Sequence, residues 1–179
     1  MLKKIQAAVA AFIIAFLVVV AMQPTTFRVT RSATITASPD AIFPLVNNFH
    51  KWDAWSPWAK LDPAMKTVFE GPTEGPGAIY KWEGNSTVGQ GKMTITASHP
   101  SDVVTINLEF IKPFEANNTT EFTFKPTAAQ TEVTWSMSGE NNFLSKAMCL
   151  FVSMDKMVGG DFEKGLSQLK SAAESASKK

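Results

Sequence analysis

The sequence predicts an α+β domain: a seven-stranded antiparallel sheet, a long carboxy-terminal helix, and two short helices between the first and second strands. Three observations carry this. Segments from Lys66 to Ser138 alternate apolar and polar residues, the mark of antiparallel strands with one dry and one wet face. They follow one another as strands rather than as alternating strand and helix units. Phe143–Ala176 contains no proline and repeats apolar residues at steps of three or four, from Leu144, Ala147, Met148 and Phe151 through Met154, Val158, Phe162, Leu166 and Leu169 to Ala173.

The chain opens with Lys3 and Lys4, followed by an uninterrupted apolar run from Ala7 to Met22. That run approaches the roughly 17 to 20 residues that cross a bilayer core as a helix, and exceeds the usual 7 to 15 of a signal-peptide core. Residues 1–23 are therefore expected to be a single-pass membrane anchor, the alternative being a signal peptide cleaved to release a secreted domain. Lys3 and Lys4 lie nearest the run, which favours a cytoplasmic amino terminus and a domain on the exported, periplasmic or extracytoplasmic side. Residues 24–176 are the expected domain and 177–179 a frayed tail.

Phe27–Ala37 alternates Val29, Ala33 and Ile35 with hydroxyl residues and reads as the first strand. Ser38-Pro39-Asp40 then starts a helix, with Ser38 as N-cap, Pro39 at the first position and Asp40 at the positive end. Pro44 should bend or shorten it. Trp52, Trp55 and Trp58 crowd the next segment, where Trp52 and Trp55 share a helix face and Pro57 ends it. Core packing and the wall of a ligand entrance both fit this segment. Strands follow at Met65–Glu70, Ala78–Glu83, about Gly91–Ala97, Val103–Ile111, Thr120–Lys125 and Gln130–Ser138. The turn residues Gly71–Gly77 and His99–Asp102 lie between them. Gly159-Gly160 interrupts the last helix at a cost of roughly 2 kcal/mol relative to alanines; a single element hinged there is expected.

This order resembles the START-like superfamily, the helix-grip fold of polyketide cyclase/dehydrase and lipid-transport proteins. The resemblance spans about residues 27–176. It is carried by the opening strand into Ser38-Pro39-Asp40-Ala41-Ile42-Phe43, by Trp52-Asp53-Ala54-Trp55-Ser56-Pro57-Trp58, and by Asp161-Phe162-Glu163-Lys164-Gly165-Leu166. It is closest in character to exported or membrane-anchored bacterial members of unassigned function. What it implies is a curved sheet gripping the last helix around a cavity for apolar or amphipathic ligands, and no particular cargo.

Composition narrows the classes. Hydrophobic residues make up 45% of the 179 and charged ones 18%, which describes a globular chain. Without Lys3 and Lys4 the balance is 15 basic to 16 acidic side chains, so no basic footprint for nucleic acid exists. Cys149 is the lone cysteine and His50 and His99 lie far apart, so neither a disulfide nor a metal site is expected. No Gly-x-Ser-x-Gly elbow, P-loop or dinucleotide fingerprint appears, and no cofactor is expected. Glu83, Glu109 and Glu121 fall on polar strand faces.

The leading reading is a membrane-tethered module that holds a hydrophobic or amphipathic small molecule, a lipid among the candidates. The expected lining is Trp55, Tyr80, Trp82, Phe110, Phe122, Trp135, Met148, Phe151, Met154 and Val158. A cyclase- or dehydratase-type enzyme is the second reading, with Asp155 or Tyr80 as the acid/base group. For Asp155 this requires a cavity position, where desolvation raises its pKa. A membrane-surface interaction domain using Trp52–Trp58 is the third.

Overall fold

The computed structural model describes residues 1–176; the expected tail at 177–179 lies outside them. Helix α1 (Leu2–Ala21) leads into β1 (Thr26–Ile35), α2 (Pro39–Asn47) and a 3-10 turn at Phe49–Ala54. Strands β2 (Lys66–Glu70), β3 (Ile79–Glu83), β4 (Gln90–His99), β5 (Val103–Lys112), β6 (Ala116–Thr127) and β7 (Gln130–Glu140) follow, then helices α3 (Phe143–Cys149) and α4 (Met154–Ala176). The strands form one antiparallel sheet in the order β1-β7-β6-β5-β4-β3-β2. The predicted α+β helix-grip architecture is thus what forms, because β2 to β7 pair in sequence order and β1 closes onto β7.

α2 begins at Ser38 with Pro39 in its first turn, but the Ser38 side chain makes no capping bond. Its other end is closed by tryptophans: the indole N–H groups of Trp52 and Trp55 donate to the carbonyls of Val46 (2.9 Å) and Leu45 (2.8 Å), acceptors that a helix end leaves free. In a 3-10 helix residues three apart eclipse, which brings the Trp52 and Trp55 rings to 4.7 Å.

The last element departs from expectation. It is two helices, and the break falls at Leu150–Ser153 rather than at the glycine pair. Ser153 caps α4 by accepting the Lys156 N–H at 3.3 Å, and Asp155 occupies the first turn, so a new N-terminus is built there. Gly159 and Gly160 lie inside an unbroken α4. At Gly159 a Cβ would run into the guanidinium of Arg31 on β1, whereas at Gly160 it would meet nothing. The first glycine leaves room for the Arg31 guanidinium against α4.

α4 runs along β1, fastened by Arg31 to Asp155 and Glu163 near its start and by Lys170 to the Thr34 carbonyl (2.9 Å) further on. Phe162, Leu166, Leu169 and Ala173 are its buried stripe. α3 instead packs beside α1, and both stand at the end of the sheet where β1 starts and β7 finishes.

A candidate ligand-binding site on the concave face

Strand register sorts the inward-facing side chains into rows across the sheet. One row runs Val104–Phe122–Trp135–Arg31 and the next Ile95–Ile106–Thr120–Met137–Val29; apart from Arg31 both are sealed. The third runs Phe69–Tyr80–Met93–Leu108–Asn118–Gly139–Phe27 and the last Trp82–Gly91–Phe110–Ala116. Tyr80, Met93, Leu108, Phe110 and Phe27 in these two rows are only half-buried. The concave face is therefore closed under α2 and most of α4, and half-open toward the end that carries α1 and α3.

The closed half is filled by aromatic rings. Trp135 lies flat against Phe162 at 4.1 Å with 7° between planes, and on its other neighbour Phe122 at 4.7 Å. Trp55 and Trp58 meet Trp135 edge-on, each at 5.8 Å. Gly165 permits this closeness, since a Cβ there would sit 2.7 Å from the Trp135 ring and 3.2 Å from Pro57.

The half-open part is an aromatic string. Tyr80 and Trp82 stack at 6.0 Å, and Phe110 meets Trp82 edge-on at 5.9 Å. Trp82 lies over Gly91, leaving no room for a Cβ there, and its indole N–H donates to the Val88 carbonyl at 3.0 Å. Burial, then the charge of Asp53, pushes the Tyr80 phenol above its ordinary pKa, so it remains a neutral donor through the physiological range.

Of the expected lining, then, Trp55, Phe122 and Trp135 occupy the closed half and Tyr80, Trp82 and Phe110 the half-open one, with Met154 and Val158 half-buried against the core at the start of α4. Met148 and Phe151 are not with them. Both are exposed, Phe151 by 79%, because the break before Met154 turns α3 away from the sheet and toward α1. Asp155 is also corrected: it faces solvent, and Arg31 donates to both its oxygens at 2.7 and 3.0 Å, which holds its pKa below the usual carboxylate range. Desolvation would have moved it the other way.

Three polar groups on this face went unread in the sequence. Thr120 Oγ1 and Trp135 Nε1 are buried and, among the described residues, have no hydrogen-bond partner. Asn118, 5% exposed, folds its side chain over Gly139 in the half-open row. Strand β6 begins four residues before Thr120, at Ala116. Continuing the Phe122–Phe124 alternation backwards would have placed Thr120 and Asn118 inward.

Two cavities flank the site. One of about 150 Å³ lies between Phe49 and His50 of the 3-10 turn and Phe69–Thr73, with His50 stacked on Phe69 at 3.9 Å. The other, about 180 Å³, lies between the Asp53–Leu61 segment and Lys164 and Gln168 of α4. Each is smaller than the roughly 300 Å³ at which drug-sized sites begin.

A curved antiparallel sheet holding a carboxy-terminal helix over an aromatic, partly open concave face defines a helix-grip protein of the START-like type. The profile of the polyketide cyclase/dehydrase and lipid transport family matches residues 26–174, and the chain belongs to that family. The family fold supports a ligand-binding or cyclase-type module. Among solved structures, a Staphylococcus aureus protein of unknown function is similar at 10% identity, TM-score 0.65, over 89% of this chain and 99% of that one. A Thermobifida fusca protein solved by NMR is similar at 19% identity, TM-score 0.61, over 82% and 92%. DynU16, from the dynemicin biosynthetic locus, is similar at 12% identity, TM-score 0.57, over 83% of this chain and 48% of that one. At such identities these likenesses concern the fold. No curated protein matches the chain.

Proposed function

We propose that the protein is a membrane-tethered binding module that receives a hydrophobic or amphipathic small molecule at the half-open end of its concave face. Tyr80, Trp82 and Phe110 form the apolar wall, and Asn118 in the same half-open rows supplies a hydrogen bond to a polar group on the ligand. The observation that carries this reading is the apolar row Tyr80–Met93–Leu108, which stays half-buried beside a closed, fully packed half of the same face. α1 supports the tether, being 20 residues long and apolar enough to cross a membrane. At ~1.5 Å per residue it spans ~30 Å, the thickness of a bilayer core.

The test is mass spectrometry of the full chain purified in mild detergent, with lipid extraction. A co-purifying species is expected in stoichiometric amount, lost when Leu108→Trp fills the half-open row. Thr120→Val, in the closed row behind the site, should leave its retention unchanged while raising stability by about 1 kcal/mol, because the orphan hydroxyl is gone. An empty wild-type protein, or retention indifferent to Leu108→Trp, would overturn the reading.

The enzymatic alternative retains one group. Tyr80 is a neutral phenol that can donate a hydrogen bond into the site, and burial, by raising its pKa, makes it a weaker proton donor than a free phenol.

A further inference from the structure

We propose that the end of the sheet carrying α1, α3 and the β5–β6 hairpin lies flat against the lipid bilayer that α1 enters, so that the half-open concave face takes its ligand from the lipid phase. This rests on reading α1 as a membrane anchor.

The tether is short. Four residues, Met22–Thr25, separate α1 from β1, and even fully extended they hold the two ends within about 18 Å. They are pinned as well: the Asn141 N–H donates to the Thr25 carbonyl at 2.8 Å and its Nδ2 to the Pro24 carbonyl at 3.1 Å, tying the tether to the end of β7. A helix that crosses the bilayer and stops at Ala21 therefore delivers this sheet end to the headgroup layer.

The surface delivered there carries a group of exposed apolar side chains beside the exposed charges Lys112, Glu115 and Glu140. Antiparallel register puts the β5–β6 turn, the start of β1, the end of β7 and all of α3 at the same end. Ile111 and Phe114 are exposed at the hairpin, Phe143 and Leu144 on α3, and Phe151 and Val152 at the break before α4. Among the described residues, outside α1 with its flanking Met1 and Met22, Met148 and the start of α4, the other exposed large apolar side chains are Leu61, Val68 and Phe69, and the turns at the opposite end, Pro100–Asp102 and Ala128–Ala129, carry none. Apolar patches of this kind mark interaction surfaces, and here the patch continues from a helix that is itself apolar and exposed. Continuity with α1 selects lipid over a protein partner. α3 beside α1 is short, capped by Asn142 and apolar on its outer side, as an interfacial helix is.

The lone cysteine provides the probe. Cys149 lies within α3, and a nitroxide attached to it in the full chain, reconstituted into phosphatidylcholine/phosphatidylglycerol vesicles, reports collisions with oxygen, which concentrates in lipid, against a water-soluble nickel chelate. In a Cys149→Ser background the same label is placed by Glu115→Cys beside the hairpin tip, by Gln130→Cys at the far end and by Leu17→Cys in α1. The oxygen-to-nickel ratio is expected to be several-fold higher at 149 and 115 than at 130, and highest at 17. The exposed pair Phe114→Asp and Phe151→Asp should lower it at 149 and leave 17 unchanged. Labels 149 and 115 as wet as 130, with 17 in lipid, would overturn the docked rim and leave the anchor standing. A wet label at 17 would overturn the anchor and the rim together.

Discussion

Gly165 and Gly160 lie on one helix, and the same substitution should move stability in opposite directions at the two. Gly160→Ala adds a methyl that meets nothing within 4 Å, so only backbone propensity counts, and the variant should be more stable by about 1 kcal/mol. At Gly165 the new Cβ would stand 2.7 Å from Cζ3 of Trp135 and 3.2 Å from Cδ of Pro57. Carbon atoms pack at about 3.5–4.0 Å, so Trp135 must recede by most of an ångström. It cannot do so cheaply, because Phe162 stacks on it at 4.1 Å and Phe122 at 4.7 Å. Overpacking of this sort costs typically 1–3 kcal/mol. The propensity gain is common to both variants and cancels in their difference, which isolates the contact. At about 2–4 °C per kcal/mol, Gly165→Ala should melt roughly 2–12 °C below Gly160→Ala. The assay is thermal unfolding of the full chain in one detergent, backed by denaturant midpoints. If Gly165→Ala melts with or above Gly160→Ala, the claim that this glycine exists to let α4 rest on Trp135 is wrong.

Two further outcomes concern titrating groups. Tyr80 is the chain's one tyrosine, so an ultraviolet tyrosinate titration reads it alone; its midpoint should exceed the ordinary value of about 10 and fall back partway in Asp53→Asn. A raised folded pKa favours the neutral phenol, so its contribution to stability is whole below about pH 10 and is lost as pH rises through the folded value. An unshifted midpoint would contradict the burial of the phenol. Asp155 behaves in the opposite sense: its folded pKa is depressed, so the Arg31 clasp contributes above the unfolded value of about 4 and weakens as pH falls through the folded one. Asp155→Asn should flatten the acid limb of stability against pH, and an unchanged limb would show that the exposed pair contributes nothing.

The strands were legible because a half-wet sheet imposes alternation on every segment, and Val103–Ile111 or Gln130–Ser138, which the structure extends to Lys112 and Glu140, could be read residue by residue. The tryptophan cluster was legible as a plug or a wall but not as the cap of α2, since the acceptors are backbone carbonyls that no side-chain pattern reveals. The end of the chain misled for a physical reason. A stripe at helical spacing continues through Met148, Phe151 and Met154 whether its residues face a sheet, a membrane or another helix, and periodicity records only that they avoid water. The local signal that separates the cases is Ser153 followed by Asp155, an N-cap in mid-stripe. It is easily overshadowed by Gly159-Gly160, where glycine answers to Arg31 rather than to a bend. Asp155 likewise looked close to the apolar stripe, but its direction depended on an arginine 124 positions earlier.

The two halves of the concave face explain each other. A ligand site must leave apolar surface incompletely covered, which withholds the burial that stabilises a fold, at roughly 25 cal/mol for each Å² left wet. On the proposed function that deficit falls on the rows holding Tyr80, Leu108 and Phe110, which are half-buried, while the rows beside them are filled by Trp55, Phe122, Trp135 and Phe162 in mutual contact. The closed half does not depend on a ligand, so the half-open rows can stay apolar without the domain unfolding when they are empty. Register fixes which end is left open, because β1 and β7 bring α1 and α3 to the same side as the half-buried rows. A sheet of this order cannot slip by one residue without turning Trp135 and Phe122 outward, so the stability of the closed half also holds the open half toward α1.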